Sequence, residues 1–130
     1  MPKEWRTFAI ALDQDSERFR SFRKNNSHLD LEVFNAVNGK NLDFQELVSH
    51  GLVSEELSTS PLLTKGTAGC AESHRSLWRK SVDDNINLLI LEDDCYTHPS
   101  IEPFIKHRIV HASGTGLRCR APLRAFSSSG

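Results

Sequence analysis

The sequence predicts an α/β fold with a mostly parallel sheet and flanking helices, and three observations carry that expectation. Apolar runs of strand length occur at residues 5–12, 31–37 and 86–91. Stretches with helical apolar spacing separate them, and strands alternating with helices form parallel sheets. The last run ends in Glu92-Asp93-Asp94. Three carboxylates at the end of a buried strand cost repulsion and desolvation unless a cation or ligand compensates them, so they mark a candidate site.

Residues 5–12 read as the first strand because Phe8-Ala9-Ile10-Ala11-Leu12 is a nearly continuous apolar run, typical of a strand covered on both faces. Asp13-Gln14-Asp15-Ser16 turns the chain. Residues 17–24 carry Phe19 and Phe22 on one face among Arg18, Arg20, Arg23 and Lys24, giving an amphipathic helix with an acidic start and a basic end. Residues 31–37 read as a second strand, closed by Asn38-Gly39, a dipeptide that here says only that the chain turns. Asp43 and Glu46 have capping-box spacing, with Phe44, Leu47 and Val48 as the buried side of a short helix. Residues 49–65 are irregular, with Ser58-Thr59-Ser60-Pro61 breaking any helix, and 58–65 is expected to be a loop.

A longer helix is expected over residues 67–82, its inner face formed by Cys70, His74, Leu77, Trp78 and Ser81. Gly66, Ala68 and Gly69 at its start let backbone approach backbone or ligand closely, and the free N–H groups of a first turn favour an anion. Asp83-Asp84-Asn85 ends it before the third strand, and Cys95 and Tyr96 are expected to continue that strand's edge. A short helix entered through Pro99 follows. Gly114, Gly116, Pro122 and the ending Ser127-Ser128-Ser129-Gly130 show no periodicity, so the basic tail of residues 106–130 is expected to be poorly ordered.

With 130 residues the chain is long enough for one domain with a real core. Its net charge of -1 hides a division, because no Asp or Glu follows Glu102 whereas Lys106, Arg108, Arg118, Arg120 and Arg124 do. Those cations are sparse and lack interleaved aromatics apart from Phe126, so nucleic acid is not an expected partner. Cys70, Cys95 and Cys119 are odd in number and form no CxxC pair, which argues against a disulfide framework or a structural zinc site and for a reducing, cytoplasmic setting. No segment has the uninterrupted apolar length of a membrane span.

In an open α/β sheet ligands bind beyond the C-terminal ends of the strands, where the acidic triplet should lie. Oxygen ligands there suit Mg²⁺ or Mn²⁺. Glu92 and Asp94 would share an orientation if the strand continued, with Asp93 pointing elsewhere; alternatively, one carboxylate caps a turn and the others are solvated. His74, alone on its helix face, reads more readily as a packed, hydrogen-bonded residue than as a catalyst. Ser73 lacks a nucleophile elbow, and Gly66-Thr67-Ala68-Gly69 lacks the lysine of an NTPase phosphate loop.

Gly66-Thr67-Ala68-Gly69-Cys70-Ala71-Glu72-Ser73-His74, followed by Leu88-Leu89-Ile90-Leu91-Glu92-Asp93-Asp94, resembles glycosyltransferase family 25. Upstream, Ile10-Ala11-Leu12-Asp13 with Glu17-Arg18, and Phe34-Asn35-Ala36-Val37-Asn38-Gly39, resemble two further family motifs in the same order. Asn38 stands where the family usually has aspartate. The resemblance implies a Rossmann-like nucleotide-sugar transferase fold of GT-A type, incomplete here, with residues 1–105 as the donor-binding part. It implies a UDP-sugar donor, usually UDP-galactose, and a saccharide or glycolipid acceptor in lipooligosaccharide or lipopolysaccharide biosynthesis. Arg18, Gly66, Gly69, Ser73, His74, Glu92 and Asp93 are then the donor-side residues, and Asp94 with Glu92 the ligands of Mn²⁺ or Mg²⁺. For Arg18 the alternative is a solvated helix residue, and for His74 a supporting hydrogen bond. No catalytic base is assigned, since family members carry acceptor recognition in a later segment. The expected setting is cytoplasmic, with peripheral contact at the inner membrane. A truncated non-catalytic remnant, or a chain completed by another chain or acting through protein interaction, is the alternative.

Overall fold

The computed structural model describes residues 3–105. They fall in two compact units that divide between His98 and Pro99. The first holds three strands, β1 (Trp5–Ala11), β2 (Leu31–Asn35) and β3 (Asn87–Glu92), in one sheet of order β2-β1-β3. Both pairings are parallel, with Ile10 opposite Phe34 on one side and Glu92 on the other. The helices are α1 (Glu17–Asn25), α2 (Phe44–Ser49), α3 (Glu55–Ser58) and α4 (Lys65–Asp83), with a 3₁₀ turn at Gly39–Asn41. Of the second unit, residues 101–105 form one helical turn, and the Phe104 N–H donates to the Ser100 carbonyl at 3.0 Å. The tail expected after residue 105 lies outside the described residues.

Parallel strands must be joined by crossovers, and this chain uses two of them in opposite directions from β1. Alternation sorts β1 into two faces. Phe8 and Ile10 pack with Leu77 of α4, flanked by Phe34, Ala36, Leu88 and Ile90. Thr7, Ala9 and Ala11, on the other face, are buried as well. Phe19 and Phe22, fully buried with ring centroids 5.6 Å apart, contribute about 2–3 kcal/mol each. Ser16 caps α1 by accepting from the Phe19 N–H at 3.1 Å.

Several expectations shift once the chain folds. The second strand stops at Asn35 rather than residue 37, although the Ala36 N–H still reaches the Ala11 carbonyl at 2.8 Å. The irregular stretch contains α3, capped by Ser54, and α4 begins at Lys65 because Thr64 accepts from the Thr67 N–H. A β-branched hydroxyl three residues before Thr67 was the available cap signal. Trp78, expected on the inner face of α4, is 61% exposed; the buried positions are Ala68, Gly69, Ser73 and Leu77. The last strand ends at Glu92 rather than running on through Cys95 and Tyr96, because the Cys95 N–H turns back to the Glu92 carbonyl at 3.0 Å. That removes the shared strand face expected for Glu92 and Asp94.

Across the β1–β2 edge, Arg6 grips both oxygens of Glu32, with Nε to Oε2 at 2.7 Å. That hydrogen-bonded fork is the main cause holding the Glu32 carboxyl below its ordinary value of 4.5. A folded-state value below the unfolded one adds stability above about pH 4.5, and this is lost as pH falls through the folded value. The melting temperature of a Glu32→Gln variant is therefore expected to fall less steeply than wild type on acidification below pH 4.5. Parallel melting curves for the two proteins over that range would count against the pair.

Candidate functional site

A cleft of about 390 Å³ opens at the C-terminal ends of the three strands. β1 supplies Ile10 and the chain beyond it Leu12; the segment after β2 supplies Ala36, Val37, Asn38, Gly39 and Lys40. Gly66, Cys70 and Ser73 enter from α4, Arg18 from α1, and Glu92 and Asp93 from the end of β3. The chain leaves β1 to one side for β2 and returns across it to β3, so the cleft sits where the winding direction reverses, the usual ligand position in such sheets.

The cleft wall is built by unusually close backbone packing. Gly39 lies against the first turn of α4, where an added Cβ would come within 1.7 Å of the Lys65 carbonyl oxygen. Gly69 makes the reciprocal space: a Cβ there would meet the Val37 carbonyl oxygen at 2.7 Å and the Gly39 nitrogen at 2.8 Å. Gly69 therefore serves the packing behind the cleft and does not line it, and Gly39, read from sequence as a turn and as the end of a family motif, is its partner. Ser73 ties the same two elements. Its hydroxyl donates to the Gly69 carbonyl at 2.8 Å and accepts from the Val37 N–H at 2.9 Å, leaving no free nucleophile. Asn38 caps the 3₁₀ turn by accepting from the Lys40 N–H at 3.0 Å, work an aspartate would do equally.

The acidic triplet divides between two sets of partners. Glu92 Oε1 accepts from His74 Nε2 at 3.0 Å and from the Cys70 thiol at 3.4 Å. These bonds, His74 first, hold the Glu92 carboxyl below its ordinary value. Desolvation and then the Glu92 carboxylate raise the Cys70 thiol above its ordinary 9.0, so it is a protonated donor at neutral pH. His74 stands behind Glu92 rather than in the cleft lining. Arg18 takes the other two acids, with one guanidinium nitrogen 2.9 Å from Asp93 and 3.7 Å from Asp94. Arg18 and Asp94 are each 64% exposed, so these pairs contribute about 0–1 kcal/mol to stability and stay available to a ligand.

The loop carrying the triplet is fastened from below by Asn26, a fully buried residue that the sequence did not single out. Its amide donates to the Phe22 carbonyl at 2.9 Å and the Cys95 carbonyl at 3.1 Å, and its Oδ1 accepts from both the backbone N–H and the hydroxyl of Thr97. His28 adds a contact to the Thr97 hydroxyl at 2.9 Å. An Asn just past a helix reads as a C-cap in sequence, and nothing local reveals partners 69 and 71 positions away.

Residues 5–115 match the family model described as glycosyltransferase family 25 (LPS biosynthesis protein). The chain belongs to glycosyltransferase family 25. Two curated relatives, each described as a glycosyltransferase 25 family member, are 32% identical in Aedes aegypti and 31% identical in Anopheles gambiae, each over 109 residues and 78% of this chain. The chain spans 17% and 18% of the length of those relatives. No solved structure matches it. The family match covers all three strands and the whole cleft lining, so the site lies within the part shared with the family. Among the described residues no helix is long and apolar enough to cross a membrane.

Proposed function

We propose that this part of a family 25 chain binds a nucleotide-sugar donor, UDP-galactose, in the cleft at the strand ends, the sheet being the donor half of a Rossmann-like GT-A-type fold. The observation that carries this reading is the convergence of Arg18, Gly66, Glu92 and Asp93 on one cleft, with Asp94 beside it on the same guanidinium. Its volume falls in the range of small-molecule sites, about 300–1,000 Å³. Gly66, in the first turn of α4, offers backbone close to a diphosphate, and Arg18 adds an exposed positive charge.

The exposed Asp94 is a hard oxygen donor of the kind Mn²⁺ or Mg²⁺ takes alongside phosphate oxygens, and it fits that role with a single protein carboxylate. Glu92 is engaged on the other side by His74 and Cys70, so in this reading it shapes the wall and Asp94 alone carries the donor-side ion. A divalent cation there would neutralise charge on the departing UDP in displacement at the anomeric carbon. Asp93, held by Arg18, orients that guanidinium toward the diphosphate. The galactose would pass to a saccharide acceptor of lipooligosaccharide or lipopolysaccharide at the cytoplasmic membrane face; the other reading is donor binding without transfer.

Calorimetry of the purified chain with UDP-galactose and Mn²⁺ tests the donor step. Saturable binding is expected, weakened at least tenfold by Asp94→Ala or by omitting the ion, about 1.4 kcal/mol or more. Absence of binding, or binding indifferent to Asp94→Ala, overturns a metal-bridged donor site. Release of galactose to a saccharide acceptor separates transfer from binding alone.

A further inference from the structure

We propose that Cys70, His74 and Glu92 form a three-ligand site for a zinc-type transition ion, distinct from the oxygen-donor position at Asp94. This goes beyond donor binding and does not rest on it. Cys70 and His74 stand one helical turn apart on α4, and Glu92 closes β3, the next element in the chain. One ligand atom from each lies within 4.8 Å of the other two.

Two of the three separations, those to the Glu92 carboxylate, are close to what a tetrahedral ion would impose, and the third, between Cys70 and His74, is within 4.8 Å. Bond lengths to zinc of about 2.0–2.3 Å put imidazole nitrogen and carboxylate oxygen about 3.3 Å apart, and sulfur and oxygen about 3.6 Å apart. The present distances are 3.0 Å and 3.4 Å, so small rotamer adjustments would admit the ion. Thiolate, imidazole and carboxylate together are a borderline-soft donor set, which selects zinc-type ions over Mg²⁺ and Mn²⁺. Cys70 and Glu92 also line the cleft, so the fourth position faces open space where water or a ligand atom can enter.

Sequence spacing concealed this set. One cysteine and one histidine in i,i+4 relation make no zinc motif, and the carboxylate arrives only when β3 docks beside β1. On metal entry the Cys70 thiol would release its proton to solvent and His74 would carry its proton on Nδ1, freeing the Nε2 lone pair, so the two hydrogen bonds to Glu92 are exchanged for three metal bonds.

The test is titration of the reduced full chain, carrying Cys95→Ser and Cys119→Ser, with Co²⁺ alone. The expected result is one equivalent bound with an intense thiolate-to-cobalt charge-transfer band in the near ultraviolet, abolished by stoichiometric Zn²⁺ and untouched by Mg²⁺ excess. Cys70→Ser should remove the band, and His74→Ala and Glu92→Gln should each weaken cobalt binding at least tenfold. Asp94→Ala should leave both band and affinity unchanged whether or not UDP-galactose binds, which separates this site from the donor reading. Far-ultraviolet circular dichroism shows that each variant is folded. No band, a band that survives Cys70→Ser, or a band lost with Asp94→Ala overturns the proposal.

Discussion

Gly39→Ala is expected to destabilise the protein by about 3 kcal/mol or more, above the usual cost of overpacking because the obstacle is backbone. The new methyl would sit 1.7 Å from the Lys65 carbonyl oxygen and 2.4 Å from its carbon. Neither atom can rotate aside, since Lys65 opens α4 and its peptide belongs to the helix. The 3₁₀ turn must therefore move outward as a unit, breaking the Ser73 hydroxyl bond to the Val37 N–H and opening the cleft wall. Urea unfolding measures the first consequence, and donor titration the second. Gly66→Ala is the internal comparison: it shares the helix and the cleft, but its nearest foreign atom is a side-chain oxygen at 3.9 Å, so little loss is expected. Equal stability of the two variants would show that the close approach has no energetic weight.

Asn26→Ala is expected to cost about 3 kcal/mol. Truncation strands the Thr97 N–H and the Cys95 carbonyl near a fully buried position, and each unsatisfied buried group costs about 1–3 kcal/mol. Asn26→Asp discriminates packing from hydrogen bonding. It keeps an acceptor for Thr97 but gives up the donor to Phe22 and Cys95 and buries a charge, so a loss at least as large is expected at neutral pH. Chemical denaturation gives the numbers. A cost below about 1 kcal/mol for both would mean that water replaces the amide readily.

The fold was legible where physics is local. Strand β1 announced itself through an unbroken apolar run, α1 through Phe19 and Phe22 with its charge gradient, and the end of α4 through Asp83-Asp84-Asn85. The acidic triplet after the third apolar run also pointed to the strand ends, where the cleft opens, because parallel strands put their C-terminal ends on one side. What could not be read is long-range. The split of the triplet depends on β3 ending at Glu92, a turn set by one backbone hydrogen bond. Trp78 has the period of a buried residue but is exposed, since the inner face of α4 follows the small residues Gly69 and Ser73 that let the 37–39 segment come close. Arg18 reads as a donor-side residue through the family motif, but its pairing with Asp93 cannot be seen until the chain folds.

The position of β1 between its two partners also sets an order of events during synthesis. Phe8 leaves the ribosome ahead of Glu32 and can pair with it soon afterwards, yet its other neighbour, Ile90, follows only after three further α-helices. Closing so long a loop is slow, and until it closes one edge of the most buried strand stays open. A nascent chain halted before residue 87 should hold β1–β2 and no ligand pocket, and would be a natural client for a chaperone that shields strand edges. Pulse-labelled amide protection, appearing first between β1 and β2 and later between β1 and β3, would record that sequence directly.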